Sequence, residues 1–192
     1  MSSESNIDSS IPPDPEQIPP GWQPVSRVIQ AIDGFTDYIG RFVSYLLGAL
    51  VLTMVYEVVA RYFFGSPTFW ANDLSYMFYG SMFMLGAAYT LRHNGHIRTD
   101  FLYNHFSPRL QGVIDTIAYG LLFLPAITIF LWYGWETFHT SWRLNERAIT
   151  SPWAPVLYPF RAVLPVSAFL LILQGISETL KSIHAVVYGR WA

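Results

Sequence analysis

Apolar residues are concentrated in four long stretches that together make up most of the chain. Each stretch holds about 19 to 23 residues, and a helix of about 20 residues crosses the roughly 30 Å hydrocarbon core of a bilayer. In lipid, backbone N–H and C=O groups must be satisfied within the segment, which favours helices. The pattern predicts an all-α polytopic membrane protein with four transmembrane helices, at Phe42–Ala60, Trp70–Leu91, Val113–Trp135 and Val156–Ile176.

One or two short amphipathic interfacial helices are predicted beside these spans. Over residues 25–41, apolar residues recur at helical spacing with polar residues between them. This pattern indicates either a helix lying in the membrane interface or an early start of the first span. The connection Arg92–Ser107 mixes apolar and charged residues similarly. The predicted domains are a disordered Pro/Ser-rich tail over 1–24, the interfacial helix over 25–41, the transmembrane domain over 42–185 and a C-terminal tail over 186–192.

Basic residues near the spans predict the orientation. With both termini in the cytoplasm, seven of the 11 Lys and Arg residues fall inside, which favours this orientation by the positive-inside rule. The inside set is Arg27, Arg41, Arg92, Arg98, Arg109, Lys181 and Arg190, and the outside set is Arg61, Arg143, Arg147 and Arg161. Five of the seven tryptophans fall at the predicted outer face, which fits an interfacial aromatic belt or a protein-docking face.

Composition supports a membrane protein and excludes several other classes. Hydrophobic residues make up 52% of the chain and charged residues only 12%, whereas soluble domains average about 25% charged. A net charge of −2 argues against nucleic acid as a partner. Because the chain has no cysteine, thiol catalysis, disulfides and iron–sulfur ligation are excluded.

Ionisable residues are absent from the centres of the predicted spans, where each would cost about 2.5 to 3.5 kcal/mol. Glu57 and Arg61 have the i, i+4 spacing of an ion pair, and Asp73 is predicted in the first turn of the second span. Secondary transporters build substrate sites from mid-membrane carboxylates or broken helices. Because the predicted spans lack such mid-membrane carboxylates and broken helices, the sequence argues against a stand-alone homo-oligomeric transporter and favours an auxiliary subunit.

A haem-binding anchor of a redox complex is the other alternative. It needs two histidines on facing helices at matching depth, and the five histidines do not provide this arrangement. His93 and His96 lie in one polar loop, which is weak evidence for a metal site. The residues therefore predict no metal, no cofactor and no enzyme activity.

An ordered set of motifs resembles one known family. The first predicted span ends in Glu57-Val-Val-Ala-Arg61, and Pro67, Trp70 and Asp73 follow. Next come Gly86-Ala-Ala-Tyr-Thr-Leu-Arg92 and His96-Ile-Arg-Thr-Asp100, and later Trp153, Tyr158, Leu164-Pro165-Val166 and Gln174-Gly-Ile176. From about Asp33 to Ala185 the chain resembles the small, DctQ-like integral-membrane subunit of TRAP (tripartite ATP-independent periplasmic) transporters.

The resemblance implies a role in sodium-coupled uptake of an organic acid across a bacterial inner membrane. In that family a periplasmic binding protein delivers the substrate transiently to a large, many-spanning membrane subunit, and the small subunit widens the fixed scaffold of that partner. The resemblance assigns Arg61, Trp70 and Asp73 to the outer-face architecture and Arg92, His96 and Asp100 to the inner loop. Candidates for contact with the binding protein are Trp142, Glu146, Arg147 and Trp153, and Glu57 and Pro165 complete the structural candidates.

Overall fold

The computed structural model describes residues 22–93, 108–149 and 151–188. Within these ranges almost every residue is helical. The elements, in chain order, are α1 (Gln23–Phe63), α2 (Phe69–Arg92), α3 (Pro108–Ile117), a π-helical segment (Ala118–Phe123), α4 (Leu124–Leu144) and α5 (Tyr158–Tyr188). The predicted interfacial helix after Arg92, with His96 and Asp100, lies outside the described residues.

Three of the described helices are long and apolar enough to cross a membrane. They are Gln23–Phe63, Arg109–Leu144 and Tyr158–Tyr188. Helix α2 has 24 residues, about 36 Å of helix, but Asn72, Asp73 and several tyrosines lower its hydropathy. Length and composition therefore support three of the four predicted crossings within the described chain.

Helix α1 joins two elements that the sequence pattern treats separately. It runs for 41 residues without a break, so residues 25–41 and the first predicted span form one helix. Its early start, two residues before the predicted boundary at residue 25, has a local reason: Pro24 occupies the first turn, where a missing N–H costs nothing. The separate short helix over 25–41 is replaced by an extension of α1.

Helix α5 is the centre of the bundle. It packs against α1, α2, α3, the π-helical segment and α4, whereas α1 otherwise packs only against α2 among the described elements. Inside the chain, 39% of the most apolar window of α5 is buried, compared with 11% for α1 and 6% for Arg109–Leu144. The last helix is thus enclosed by the others, which turn most of their apolar side chains outward.

The bundle has two distinct ends, because neighbouring helices in the chain run antiparallel. We call the end with connections 64–68 and 145–157 the hairpin end. The opposite end, where α1 begins and α2 and α5 end, is the terminal end. Ring contacts fix this arrangement: Tyr56 meets Trp70 at 5.3 Å and Trp142 meets Tyr158 at 4.8 Å at the hairpin end.

A π-helical segment interrupts the third predicted span. Over Ala118–Phe123 the hydrogen-bonding register widens, and the Leu124 N–H donates to the Tyr119 carbonyl five residues earlier. Pro125 follows at the start of α4. The shift in register places Pro125 where the new α-helix begins. Proline lacks an N–H, and at this position no α-helical hydrogen bond inside α4 is lost.

Small residues let α3 approach α5 closely. A Cβ added to Gly112 would lie 2.8 Å from the carbonyl oxygen of Ser182, a backbone atom that cannot rotate away. Membrane helices associate through such close contacts because apolar surface gains little by leaving lipid. Gly112 therefore fixes the distance between α3 and α5.

We expect Gly112→Ala to lower the melting temperature of the protein in mild detergent. Overpacking costs about 1–3 kcal/mol, more than the roughly 0.5–1 kcal/mol that alanine contributes to helix stability. Gly48→Ala in α1 is the matched control, because its Cβ would meet no atom within 4 Å. Equal melting temperatures for the two variants would contradict the close packing of α3.

Candidate functional site

Buried polar side chains link α1, α2 and α5 at the terminal end. We call this set the terminal cluster: Asp33, Thr36, Asp37, Arg92, Gln174, Ser177, Glu178 and Lys181. Lys181 lies at its centre, with Nζ 2.8 Å from Asp33 Oδ2 and 2.9 Å from Glu178 Oε1. One ammonium group thus joins α1 to α5 and neutralises carboxylates on both.

Gln174 satisfies its whole amide group inside the cluster. The side chain is fully buried, and its Nε2 donates to Asp33 Oδ1 and to Glu178 Oε1, each at 3.1 Å. Its Oε1 accepts from the Thr36 hydroxyl at 2.8 Å, and Ser177 donates to Asp33 Oδ1 at 2.9 Å. A buried amide with every group paired orients its neighbours and avoids the cost of an unsatisfied polar atom.

Arg92 attaches the end of α2 to the same cluster. Its Nη1 donates to the backbone carbonyl of Asp33 at 2.6 Å and pairs with the carboxylate of Asp37. Arg92 was predicted to organise the loop that follows it, which lies outside the described residues, and its described contacts are with α1. The cluster therefore ties three helices together with three carboxylates and two cations.

The sequence contained a signal for this cluster that the pattern analysis missed. Gln174, Ser177, Glu178 and Lys181 recur at spacings of three and four along α5 and so share one face. A polar stripe at the end of an otherwise apolar helix indicates a polar partner on a neighbouring helix. Chemically the cluster is closed, because its acids, cations and amide pair with one another.

Glu57 organises the α1–α2 connection at the hairpin end. The predicted ion pair is present: Arg61 Nη2 lies 2.5 Å from Glu57 Oε1. The other carboxylate oxygen accepts the backbone N–H of Thr68 at 3.0 Å and also contacts the Thr68 hydroxyl. Thr68 immediately precedes α2, so Glu57 holds the start of that helix against the end of α1.

Helix α2 begins one residue earlier than predicted, which changes the place of Asp73 within it. Helix α2 begins at Phe69, so Asp73 follows its first turn and does not occupy it. Its Oδ2 is buried without a hydrogen-bond donor among the described residues. An unpaired buried carboxylate oxygen is costly, and a donor from outside the described chain would remove that cost.

Hydrogen bonds and an ion pair hold the described residues of the α4–α5 connection. Glu146 accepts from Arg161 Nη2 at 2.5 Å, and its carbonyl accepts the Leu157 N–H at 2.8 Å. Arg147 donates to the Ala154 carbonyl at 3.4 Å, while Trp142 and Trp153 are exposed beside it. The four residues predicted to contact the binding protein therefore share one end of the bundle. Arg161, which anchors Glu146, was not among the predicted site residues.

Pro165 lies inside α5 at its closest approach to α4. It is buried, and a Cβ on Gly134 would stand 3.3 Å from its nitrogen. This contact gives Pro165 a place in the packing of α4 against α5. No group of three or more potential metal-ligating His, Cys, Asp or Glu side chains occurs in the described ranges.

Comparisons with known proteins agree with this architecture. Residues 50–185 match the family model described as tripartite ATP-independent periplasmic transporters, DctQ component. A C4-dicarboxylate TRAP transporter small permease protein from Vibrio cholerae is 29% identical over 110 residues, covering 56% of this chain and 47% of that protein. A sialic acid TRAP transporter permease protein from Haemophilus influenzae is 26% identical over 145 residues, covering 72% of this chain and 22% of that protein.

The matched segments thus span about half of the first relative and about a fifth of the second. The family model covers well over half of this chain and includes the Glu57 and Glu146 ion pairs, α2 and most of α5. The chain belongs to the DctQ component family of tripartite ATP-independent periplasmic transporters, and it is a small permease subunit.

Proposed function

We propose that this subunit is the stationary scaffold partner of a larger, many-spanning membrane subunit in a bacterial inner membrane. The contrast in burial between the helices carries the proposal: α5 is enclosed, while α1 and Arg109–Leu144 turn most of their apolar surface outward. The polar groups of the terminal cluster pair with one another and leave no acceptor set for a substrate. Such a chain is suited to packing against lipid and another membrane protein.

The match to a longer permease supports the proposal of a larger partner. The segment of this chain that matches the sialic acid permease from Haemophilus influenzae covers only 22% of that protein. The proposal is that a second polypeptide supplies here what the remainder of that protein supplies there. Asp73, with its undonated buried oxygen, and the exposed Arg61 are the residues through which we propose that the hairpin end meets this partner.

The remaining parts of the function follow from family resemblance. We place both termini in the cytoplasm and the hairpin end in the periplasm, with α2 as the fourth membrane crossing. A periplasmic binding protein would then reach the α4–α5 loop, where Ile149 is 99% exposed beside Arg147. Sodium-driven uptake of an organic acid would be carried out by the larger subunit, and this chain would act neither as an enzyme nor as a cofactor carrier.

Affinity purification of the tagged chain, expressed from its native gene neighbourhood, tests the function directly. We expect a much larger polytopic membrane protein to co-elute in mild detergent in near-stoichiometric amount, identified by mass spectrometry. Recovery of the chain alone would favour a homo-oligomeric transporter. Recovery with redox subunits and a Soret band would favour a haem anchor, and either result would overturn the proposal.

We expect Arg61→Ala or Asp73→Ala to reduce the amount of co-purified large subunit by about fivefold, or about 1 kcal/mol of interface free energy. Apparent substrate affinity in the residual transporters should change less, because neither residue is proposed to contact substrate. Arg143→Ala, an exposed cation at the same end, is the control and should retain the partner. Altered substrate affinity with normal assembly would refute this placement.

Lys181→Met should destabilise the subunit, because it removes the cation nearest to Asp33 and Glu178. Breaking such a pair typically costs about 3–5 kcal/mol, so the yield of folded protein and its melting temperature should fall sharply. Adding Asp33→Asn removes one uncompensated charge and should recover part of the loss, giving a coupling energy of about 0.5–3 kcal/mol. Arg27→Met, an exposed basic residue at the same end, is the control. Additive effects of the two substitutions would show that the Lys181–Asp33 contact is unimportant.

A further inference from the structure

An apolar cleft lies between α2 and α5 in the half of the bundle nearest the hairpin end. Its volume is about 430 Å³, within the roughly 300–1,000 Å³ range of ligand clefts. Tyr76, Phe83 and Met84 line it from α2, and Val163 and Leu164 line it from α5. Along α2 the lining covers about 12 Å of helix, from Tyr76 inward to Met84.

One cation lines this cleft between α2 and α5. Arg161 belongs to the first turns of α5 and is half-buried, with its side chain in the cleft wall. Glu146 engages only its Nη2, and Nε and Nη1 have no acceptor among the described residues. The guanidinium group therefore keeps donors directed to a second anion, in addition to its carboxylate partner.

In the placement proposed above, Arg161 lies toward the periplasmic end of α5. Trp142 and Tyr158 contact each other within one helical turn of it, and these residue types concentrate at the membrane–water interface. From that level the apolar cleft runs toward the bilayer centre, because α2 and α5 are parallel. A cation at the interface above an apolar groove is complementary to a phosphate carrying an acyl chain.

We infer that this cleft binds one membrane phospholipid, with its phosphate on Arg161 and an acyl chain between Phe83 and Val163. The phosphate takes the guanidinium donors that Glu146 leaves unused, in a charge-assisted contact. The chain fills a groove whose walls are aromatic and aliphatic. This inference goes beyond the scaffold role and would hold for any membrane partner bound elsewhere on the subunit.

Charge complementarity favours a lipid over a helix of the partner. The two α2–α5 walls meet at Gly80 and Phe160, where a Cβ on Gly80 would lie 2.8 Å from the phenyl ring, so the groove floor is closed. A partner helix, about 10–12 Å across with its side chains, would cover the groove but would have to bring its own anion to Arg161. A phospholipid brings both the anion and the thin chain.

The test compares two substitutions that break the same ion pair. The complex is purified in mild detergent, and the phospholipid retained per subunit is measured by native mass spectrometry. Arg161→Gln should lower retention about tenfold, the effect expected for loss of a hydrogen-bonded charge. Glu146→Gln should keep or increase it, because the arginine remains and loses its competing carboxylate. Equal loss in both variants would show a merely structural ion pair and would overturn the inference.

A second measurement identifies the occupant without disturbing Arg161. The chain has no cysteine, so Phe83→Cys gives a single site in the cleft for a photoreactive maleimide label. Illumination after detergent exchange should add the mass of a phospholipid to the subunit. The same label on Leu52→Cys, on the exposed face of α1, is the control for random contact with bulk lipid. Under the same conditions it should give several-fold less lipid adduct.

A cross-link from position 83 to another protein would show that a partner helix occupies the cleft, which would overturn the inference. That result would leave the scaffold proposal intact, because co-purification of the large subunit is measured independently. Equal labelling at positions 83 and 52 would likewise overturn it.

Discussion

The contact between Lys181 and Asp33 holds together helices that lipid alone would not drive together. In a bilayer the apolar side chains of two helices gain little by meeting, because lipid tails are equally apolar. Asp33 receives Lys181, Gln174 and Ser177 from α5 and lies beside Arg92 of α2. Separating the helices would leave these largely buried groups without their partners, so the cluster specifies which helix faces which.

The rest of the bundle follows from this constraint. With its polar face committed to α1 and α2, helix α5 turns its small residues toward α3 and α4, where Gly112 and Gly134 permit close approach. The Glu57 and Glu146 pairs perform the corresponding task at the hairpin end by fastening each connection to an adjacent helix. The outer helices are then free to present aliphatic and aromatic side chains to lipid or to another subunit.

The sequence predicted the helices much better than their contacts. Long apolar stretches fix the helical class, and the i, i+4 spacing of Glu57 and Arg61 correctly identified their ion pair, since both depend only on local geometry. The spacing could not reveal that Thr68 shares the carboxylate or that Arg161 pairs with Glu146, because loop conformation brings these residues together. The polar stripe ending at Lys181 was readable in principle, but its partner Asp33 lies in a segment whose amphipathic pattern also fits the membrane surface.

The hydrogen-bonding register of the third span could not be predicted from hydropathy alone. Pro125 follows the π-helical segment, but a proline in a sequence does not say whether a helix bends or widens its register. The preceding turns adopt the π-helical form because the chain can shift its hydrogen bonds by one residue there, between Tyr119 and Leu124. This segment packs against α5, a tertiary contact that no single-sequence pattern contains.

The ion pairs at the two ends of the bundle also limit how the subunit can adapt to membrane thickness. Along α1, Asp33 and Glu57 stand about 36 Å apart, and along α5, Arg161 and Lys181 stand about 30 Å apart, close to the roughly 30 Å of a typical hydrocarbon core. Because Asp33 and Lys181 pair across α1 and α5, these two helices cannot slide past each other to suit a different bilayer. Hydrophobic mismatch in a thinner or thicker membrane must therefore be met by tilting the whole subunit or by deforming the lipid around it.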